Sequence, residues 1–132
     1  MVHATFVRST VAHARITGVN VDEARALDGV VAVYTGEELQ ALLSPDAPSM
    51  GMMGPAPFSF TLLATDKVRV VGDPIVMVVA ESRYVAEDAA ELVEVDYDEL
   101  PSVATPAEAL DPSSTPIFED AGSNVLNGPT TT

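Results

Sequence analysis

Apolar residues recur along this chain with two different periods, and the points where one gives way to the other mark its elements. Residues 71–101, VGDPIVMVVAESRYVAEDAAELVEVDYDELP, pass from turn to strand to helix to strand without a break. Gly72, Asp73 and Pro74 punctuate the turn, and Ile75 to Ala80 is a continuous apolar run of strand length, suited to a strand covered on both faces. Ser82 is placed to N-cap a helix in which Val85, Ala89, Leu92 and Val93 share one stripe, while Arg83, Glu87 and Glu91 take another side. Val93, Val95 and Tyr97 then alternate with Glu94, Asp96 and Asp98, the period of a half-buried strand with an acidic outer face. The segment is expected as one βαβ-type unit.

The same reading extends to both sides. His3 to Arg8 and Ile16 to Val21 are expected as short strands, and Asp22 caps a brief helical turn through Ala26 before Gly29. Val30 to Tyr34 is the next strand. Thr35 and Glu38 have capping-box spacing, which predicts a short helix through Leu43 with Leu39, Leu42 and Leu43 turned inward, stopped by Ser44 and Pro45. Residues 44–59 hold four prolines, two glycines and three methionines, show no period, and form the longest expected loop. Val68 to Val71 resumes β structure. Thr105, Pro106 and Glu108 give a second capping box, with proline at the first helical position and an end near Leu110. Strands interleaved with short helices point to an α+β fold in which a mixed sheet packs against a few short helices. The domain is expected over residues 1–110, with 111–132, rich in Pro, Ser, Thr, Asn and Gly, as an extended or disordered tail.

Length and charge narrow the function. A chain of 132 residues, 47% hydrophobic, buries roughly two-thirds of its unfolded surface, enough for one core. Twenty acidic residues against six basic ones leave a formal charge of −14, which argues against nucleic acid or an anionic membrane as a partner. No apolar run approaches the ~20 residues of a membrane span, and no basic stretch precedes a long apolar one, so a cytoplasmic location is expected. The absence of cysteine removes disulfides, thiolate metal sites and cysteine nucleophiles.

The candidate chemistry is sparse. Asp96, Asp98 and Glu99 supply oxygen ligands of the kind hard cations take, yet they occupy the outward face of a strand with no glycine-hinged ligand loop, and a solvated acidic face is the simpler reading. His3 and His13 with Ser9 and Asp22 contain the residue types of a hydrolytic triad, but no G-x-S-x-G elbow exposes the serine. The GMMGP segment, residues 51–55, has glycines before a proline and no helix start, unlike a phosphate cradle. No catalytic, cofactor-binding or metal-binding residue is therefore assigned.

Three ordered blocks carry a resemblance: FVRSTVAHARITGVNVDEARALDGVVAVYTGEEL at Phe6 to Leu39, LLATDKVRVVG at Leu62 to Gly72, and VGDPIVMVVAESRYVAEDAAELVEVDYDELPSVATPAEAL at residues 71–110. Together they resemble the aldehyde oxidase and xanthine dehydrogenase family, specifically the α/β hammerhead domain that opens the molybdenum-bearing large subunit, with bacterial carbon monoxide dehydrogenases among the relatives. Thr10 stands where relatives often have proline, and Asp73 where glutamate is common. The resemblance implies a structural domain of an oxidoreductase, not catalytic alone, whose partners are the molybdopterin-binding domains of the same subunit and iron–sulfur and flavin domains or subunits. It places the molybdenum cofactor, the iron–sulfur clusters and FAD in those parts and none in this chain. It further implies that Met52, Met53, Pro57, Phe58 and Phe60 line the entrance of a substrate channel, where thioethers and rings suit apolar substrates. The alternative is a stand-alone docking module for a larger molybdenum enzyme or another protein. As a piece of a multidomain subunit, the chain is expected to expose apolar surface that its neighbours normally cover and to self-associate through it.

Overall fold

The computed structural model describes residues 1–43 and 61–125. They divide into two compact units, the first made of residues 1–43 and 61–100 and the second of residues 101–125.

The first unit holds six strands and three helices. In chain order these are β1 (His3–Arg8), β2 (Ala14–Asn20), α1 (Asp22–Ala26), β3 (Val30–Thr35), α2 (Gly36–Leu42), β4 (Lys67–Val68), β5 (Pro74–Ala80), α3 (Arg83–Glu91) and β6 (Glu94–Glu99). One three-stranded sheet has the order β1-β5-β3 and the other β4-β2-β6, and every pairing is antiparallel. The core joins them: Val33, Val76 and Val78 from the first sheet, Ala14 and Val68 from the second, Ala24 from α1 and Ala89 from α3 are all buried. Helix α3 packs on β1, β5 and β3, covering the inner side of the first sheet.

The α+β class stands, but the single mixed sheet and the βαβ unit are corrected. Strands β5 and β6 flank α3 in sequence yet lie in different sheets. Periodicity shows that a segment is extended and which face is apolar, whereas the choice of pairing partner is non-local. Here β5, apolar throughout, is the middle strand between β1 and β3, and the acidic β6 takes an edge beside β2.

Smaller differences have local causes. Asp22 does not cap α1; the residue before the helix is Val21, and the Asp22 N–H donates to Asn20 Oδ1 at 3.1 Å. In α2, Leu39 and Leu43 are half-buried but Leu42 is 67% exposed, because a helix of seven residues turns only part of its surface inward. Strand β4 stops at Val68: the Asp73 carboxylate accepts from the N–H groups of Arg69 (2.6 Å) and Val70 (3.3 Å) and bends the chain into a turn that leaves Val70 and Val71 exposed. Both capping boxes form, at Thr35–Glu38 and Thr105–Glu108.

The second unit contains α4 (Pro106–Leu110) and a single 3₁₀ turn, Glu119–Ala121. Asn124 ties its strands of irregular chain together, accepting from the Ile117 N–H at 2.8 Å and donating to Ser114 Oγ (3.3 Å) and the Thr115 carbonyl (3.1 Å). No helix among the described residues is long and apolar enough to cross a membrane.

Candidate functional site

The pleat of the first sheet sorts its side chains into two layers. Register pairs Thr5 with Val78 and Val78 with Val33, and Val7 with Val76, all on the buried side. The intervening rows are Ala4–Val79–Ala32 and Phe6–Met77–Tyr34, which alternation puts on the opposite face. Those six residues are apolar or aromatic, yet none reaches full burial, and Phe6 is 41% exposed. The first sheet is thus apolar on both faces, and α3 covers one of them. At the margin of the outer face the Arg8 guanidinium lies 5.5 Å from the centre of the Phe6 ring, and its Nη1 donates to the Gly72 carbonyl at 2.9 Å. A cation over a ring in this way covers one face of the ring and holds its charge at the rim of the sheet face.

A second feature is the frame from which residues 44–60 spring. Helix α2 starts under a complete capping box: Glu38 accepts from the Thr35 N–H at 2.9 Å, and the Glu38 N–H donates to Thr35 Oγ1 at 3.4 Å. Arg25 on α1 reaches the same carboxylate at 2.6 Å and donates to the Val33 carbonyl at 3.1 Å, so one guanidinium ties α1, β3 and α2. The backbone bond from Thr35, with the Arg25 bond second, holds the Glu38 carboxyl below its ordinary range. Where the chain returns, Leu63 is buried and the Ala64 N–H donates to the Pro74 carbonyl at 2.7 Å, anchoring the return to β5.

The residues singled out for chemistry sit on several different elements. The Ser9 hydroxyl donates to the Val11 carbonyl at 2.7 Å and accepts from the Val11 N–H at 3.1 Å, which spends it on a local turn. His3 is half-buried in β1, His13 is buried just before β2, and Asp22 is exposed in the first turn of α1. Asp96, Asp98 and Glu99 are exposed on β6, opposite Gly18, Arg15 and Ala14. Among the described residues no three His, Asp or Glu side chains converge in a way that could hold a metal ion. Met52, Met53, Pro57, Phe58 and Phe60 lie outside the described residues.

The second unit carries a surface hollow of about 310 Å³, lined by residues of α4 and its approach on one side and by Ile117 and Phe118 on the other. The Asn124 amide beside it is already committed to backbone and hydroxyl partners, so the hollow offers mainly apolar contact. The outer sheet face was not legible in the sequence, and of the frame of α2 only the Thr35–Glu38 capping box was, the Arg25 tie and the Gly36 contact being non-local. The face could have been traced only by aligning the weak alternation of Ala4 and Phe6 in β1 with that of Ala32 and Tyr34 in β3 across an all-apolar β5.

Comparison with known proteins agrees with this architecture. Residues 1–101 match the family model described as aldehyde oxidase and xanthine dehydrogenase, a/b hammerhead domain. The carbon monoxide dehydrogenase large chain of Afipia carboxidovorans is 41% identical over 120 residues, covering 91% of this chain and 14% of that protein. The xanthine dehydrogenase molybdenum-binding subunit of Escherichia coli O157:H7 is 36% identical over 137 residues, covering 96% of this chain and 17% of that subunit. Among solved structures, the Cu,Mo-CO dehydrogenase superposes with a TM-score of 0.73 at 40% identity, over 87% of this chain and 14% of that one. The aldehyde oxidoreductase of Desulfovibrio gigas superposes with a TM-score of 0.76 at 29% identity, over 89% and 13%. The chain thus spans about a seventh of the length of the carbon monoxide dehydrogenase chain it matches.

Proposed function

The chain belongs to the aldehyde oxidase and xanthine dehydrogenase family through its α/β hammerhead domain, and from that premise we propose that it is a structural part of a molybdenum-dependent hydroxylase. Its work is packing and shaping. On this reading the hammerhead body, residues 1–110, seats against the molybdopterin-binding domains of the same subunit, and residues 111–132 lead on toward them. Iron–sulfur and flavin domains or subunits complete the enzyme. The chain alone is not catalytic: the molybdenum cofactor, held elsewhere, supplies the oxidative hydroxylation, and no step of it is assigned to a residue of this chain.

The observation that carries this reading is the apolar outer face of the β1-β5-β3 sheet. Among the described residues α3 covers one side of this three-stranded sheet, while on the other Phe6 is exposed and Met77, Val79 and Tyr34 are only half-buried, a face suited to packing on a neighbouring domain. Van der Waals complementarity over such a face, with Arg8 at its rim, suits a fixed interface better than a transient encounter. The resemblance supports a further part for residues 44–60, with Met52, Met53, Pro57, Phe58 and Phe60 bordering the route by which an apolar substrate enters.

Intact-mass spectrometry of the native polypeptide that contains the peptide from Tyr84 to Tyr97 tests the first part. A mass several times 13.8 kDa is expected, and a mass near 13.8 kDa would replace this reading with a separate docking module. Removal of residues 51–59 from the assembled enzyme tests the second. Altered preference among substrates of different size is expected, and unchanged preference rules the channel role out.

A further inference from the structure

Gly36 is the first residue of α2 and is buried, although nothing in its backbone conformation requires glycine, since the positive-φ glycines among the described residues are Gly29, Gly72 and Gly122. Its surroundings explain the choice. A β-carbon there would sit 2.6 Å from the carbonyl oxygen of Ala64, 3.0 Å from that carbonyl carbon and 2.9 Å from Thr65 Cγ2. Carbon atoms and carbonyl oxygens do not approach so closely, and the principal obstacle is backbone, which has no rotamer with which to yield. Glycine is therefore present for contact: it lets the base of α2 press against the segment by which the chain returns to the domain.

Both sides of that contact are fixed by other elements. The α2 side is held by the Thr35–Glu38 capping box and by Arg25 from α1. The return side is held by the Ala64 N–H bond to the Pro74 carbonyl at the start of β5 and by burial of Leu63. Residues 44–60 run between the far end of α2 and this contact. Seven helical residues rise roughly 10 Å, the distance α2 covers from this contact to its far end.

We propose that Gly36 is a positioning residue that fixes the point at which the 44–60 segment re-enters the domain. The inference deepens the channel reading above, since it names what would hold the base of a channel-lining segment. It is tested without any activity measurement. A bulge of one carbon at residue 36 must push Ala64 and Thr65 away, and the amide of Ala64 reports that displacement directly through its bond to Pro74.

Hydrogen–deuterium exchange at single-residue resolution, on the protein containing these 132 residues, compares Gly36→Ala with Val33→Ala. The second variant opens a cavity in the core of β3 and lowers stability without touching the contact. Gly36→Ala is expected to accelerate exchange of the Ala64 amide by about tenfold or more while leaving the amides that link β1 to β5 as they were. Val33→Ala is expected to accelerate exchange across both sheets. An unchanged Ala64 amide in Gly36→Ala, or a rise spread over the sheets as in Val33→Ala, overturns the proposal. Thr65→Ser removes only the Cγ2 neighbour and keeps the hydroxyl; a smaller rise confined to Ala64 is expected, and none overturns the proposal even if Gly36→Ala does not fold. A local rise in exchange combined with unchanged substrate preference after removal of residues 51–59 leaves the contact standing and ends the channel reading. No local rise with altered preference does the reverse.

Discussion

Glu38 shows how one side chain can serve three groups on two neighbours, accepting from the Thr35 backbone and hydroxyl while pairing with Arg25. Its carboxyl is held below the ordinary value of 4.5 first by the Thr35 backbone bond and then by Arg25. A depressed folded-state pKa contributes stability that is present above the unfolded value and is lost as pH falls through the folded one. Both partners of the pair are substantially exposed, so the contribution is screened. Glu38→Gln keeps an acceptor for the capping box but loses the charge. Urea unfolding is expected to show a loss of up to about 1 kcal/mol at pH 7, narrowing toward zero as the pH falls below 4.5. A difference that does not vary with pH would mean that the charge contributes nothing. The residue types at Thr35 and Glu38 were readable as a pair in sequence because the capping box is local. Arg25 was not, because its part depends on α1 and α2 meeting in space.

Among the elements, α3 is the clearest case of a segment specified by its own residues. Ser82 accepts from the Val85 N–H at 3.2 Å, and Ala86 and Ala89 make the buried stripe, flanked by half-buried Val85, Leu92 and Val93. Sequence periodicity found that stripe through its larger residues and passed over Ala86, since alanine is equally at home on either side of a helix. Ser82→Ala removes the acceptor and leaves an N–H at the helix start unpaired. Chemical denaturation is expected to show a loss of about 1 kcal/mol, recovered in Ser82→Asp, where the carboxylate caps and also meets the positive end of the helix. Equal stability of all three proteins would exclude a capping role. Strand β6 behaves the same way: its alternation of Val95 and Tyr97 with Glu94, Asp96 and Asp98 is met by alternating burial. At the edge of its sheet, those acidic residues also discourage pairing with another strand.

At the scale of the whole molecule, an apolar sheet face coexists with a net charge of −14, and the two oppose one another. Hydrophobic contact through Phe6, Met77 and Tyr34 favours association, while like charge keeps copies apart. Analytical ultracentrifugation is expected to detect dimers of the chain that increase with protein concentration and with salt, as the Debye length shortens to about 3 Å at 1 M. Phe6→Asn is expected to weaken that association. A clean monomer over a wide concentration range at both low and high salt would show that the face needs no cover.

Local pattern along the chain specifies the class of most segments, both capping boxes, the acidic outer face of β6 and the resemblance that identifies the family. All of these rest on residues close together in the chain or on ordered blocks of residues. Long-range packing is what separates β5 and β6 into two antiparallel sheets, turns Leu42 outward and requires glycine at residue 36 for the sake of Ala64. The reason is physical. Periodicity and caps act over a turn or two of chain, whereas strand partnership and close backbone contact depend on which of several similar valine-rich surfaces fit together in three dimensions.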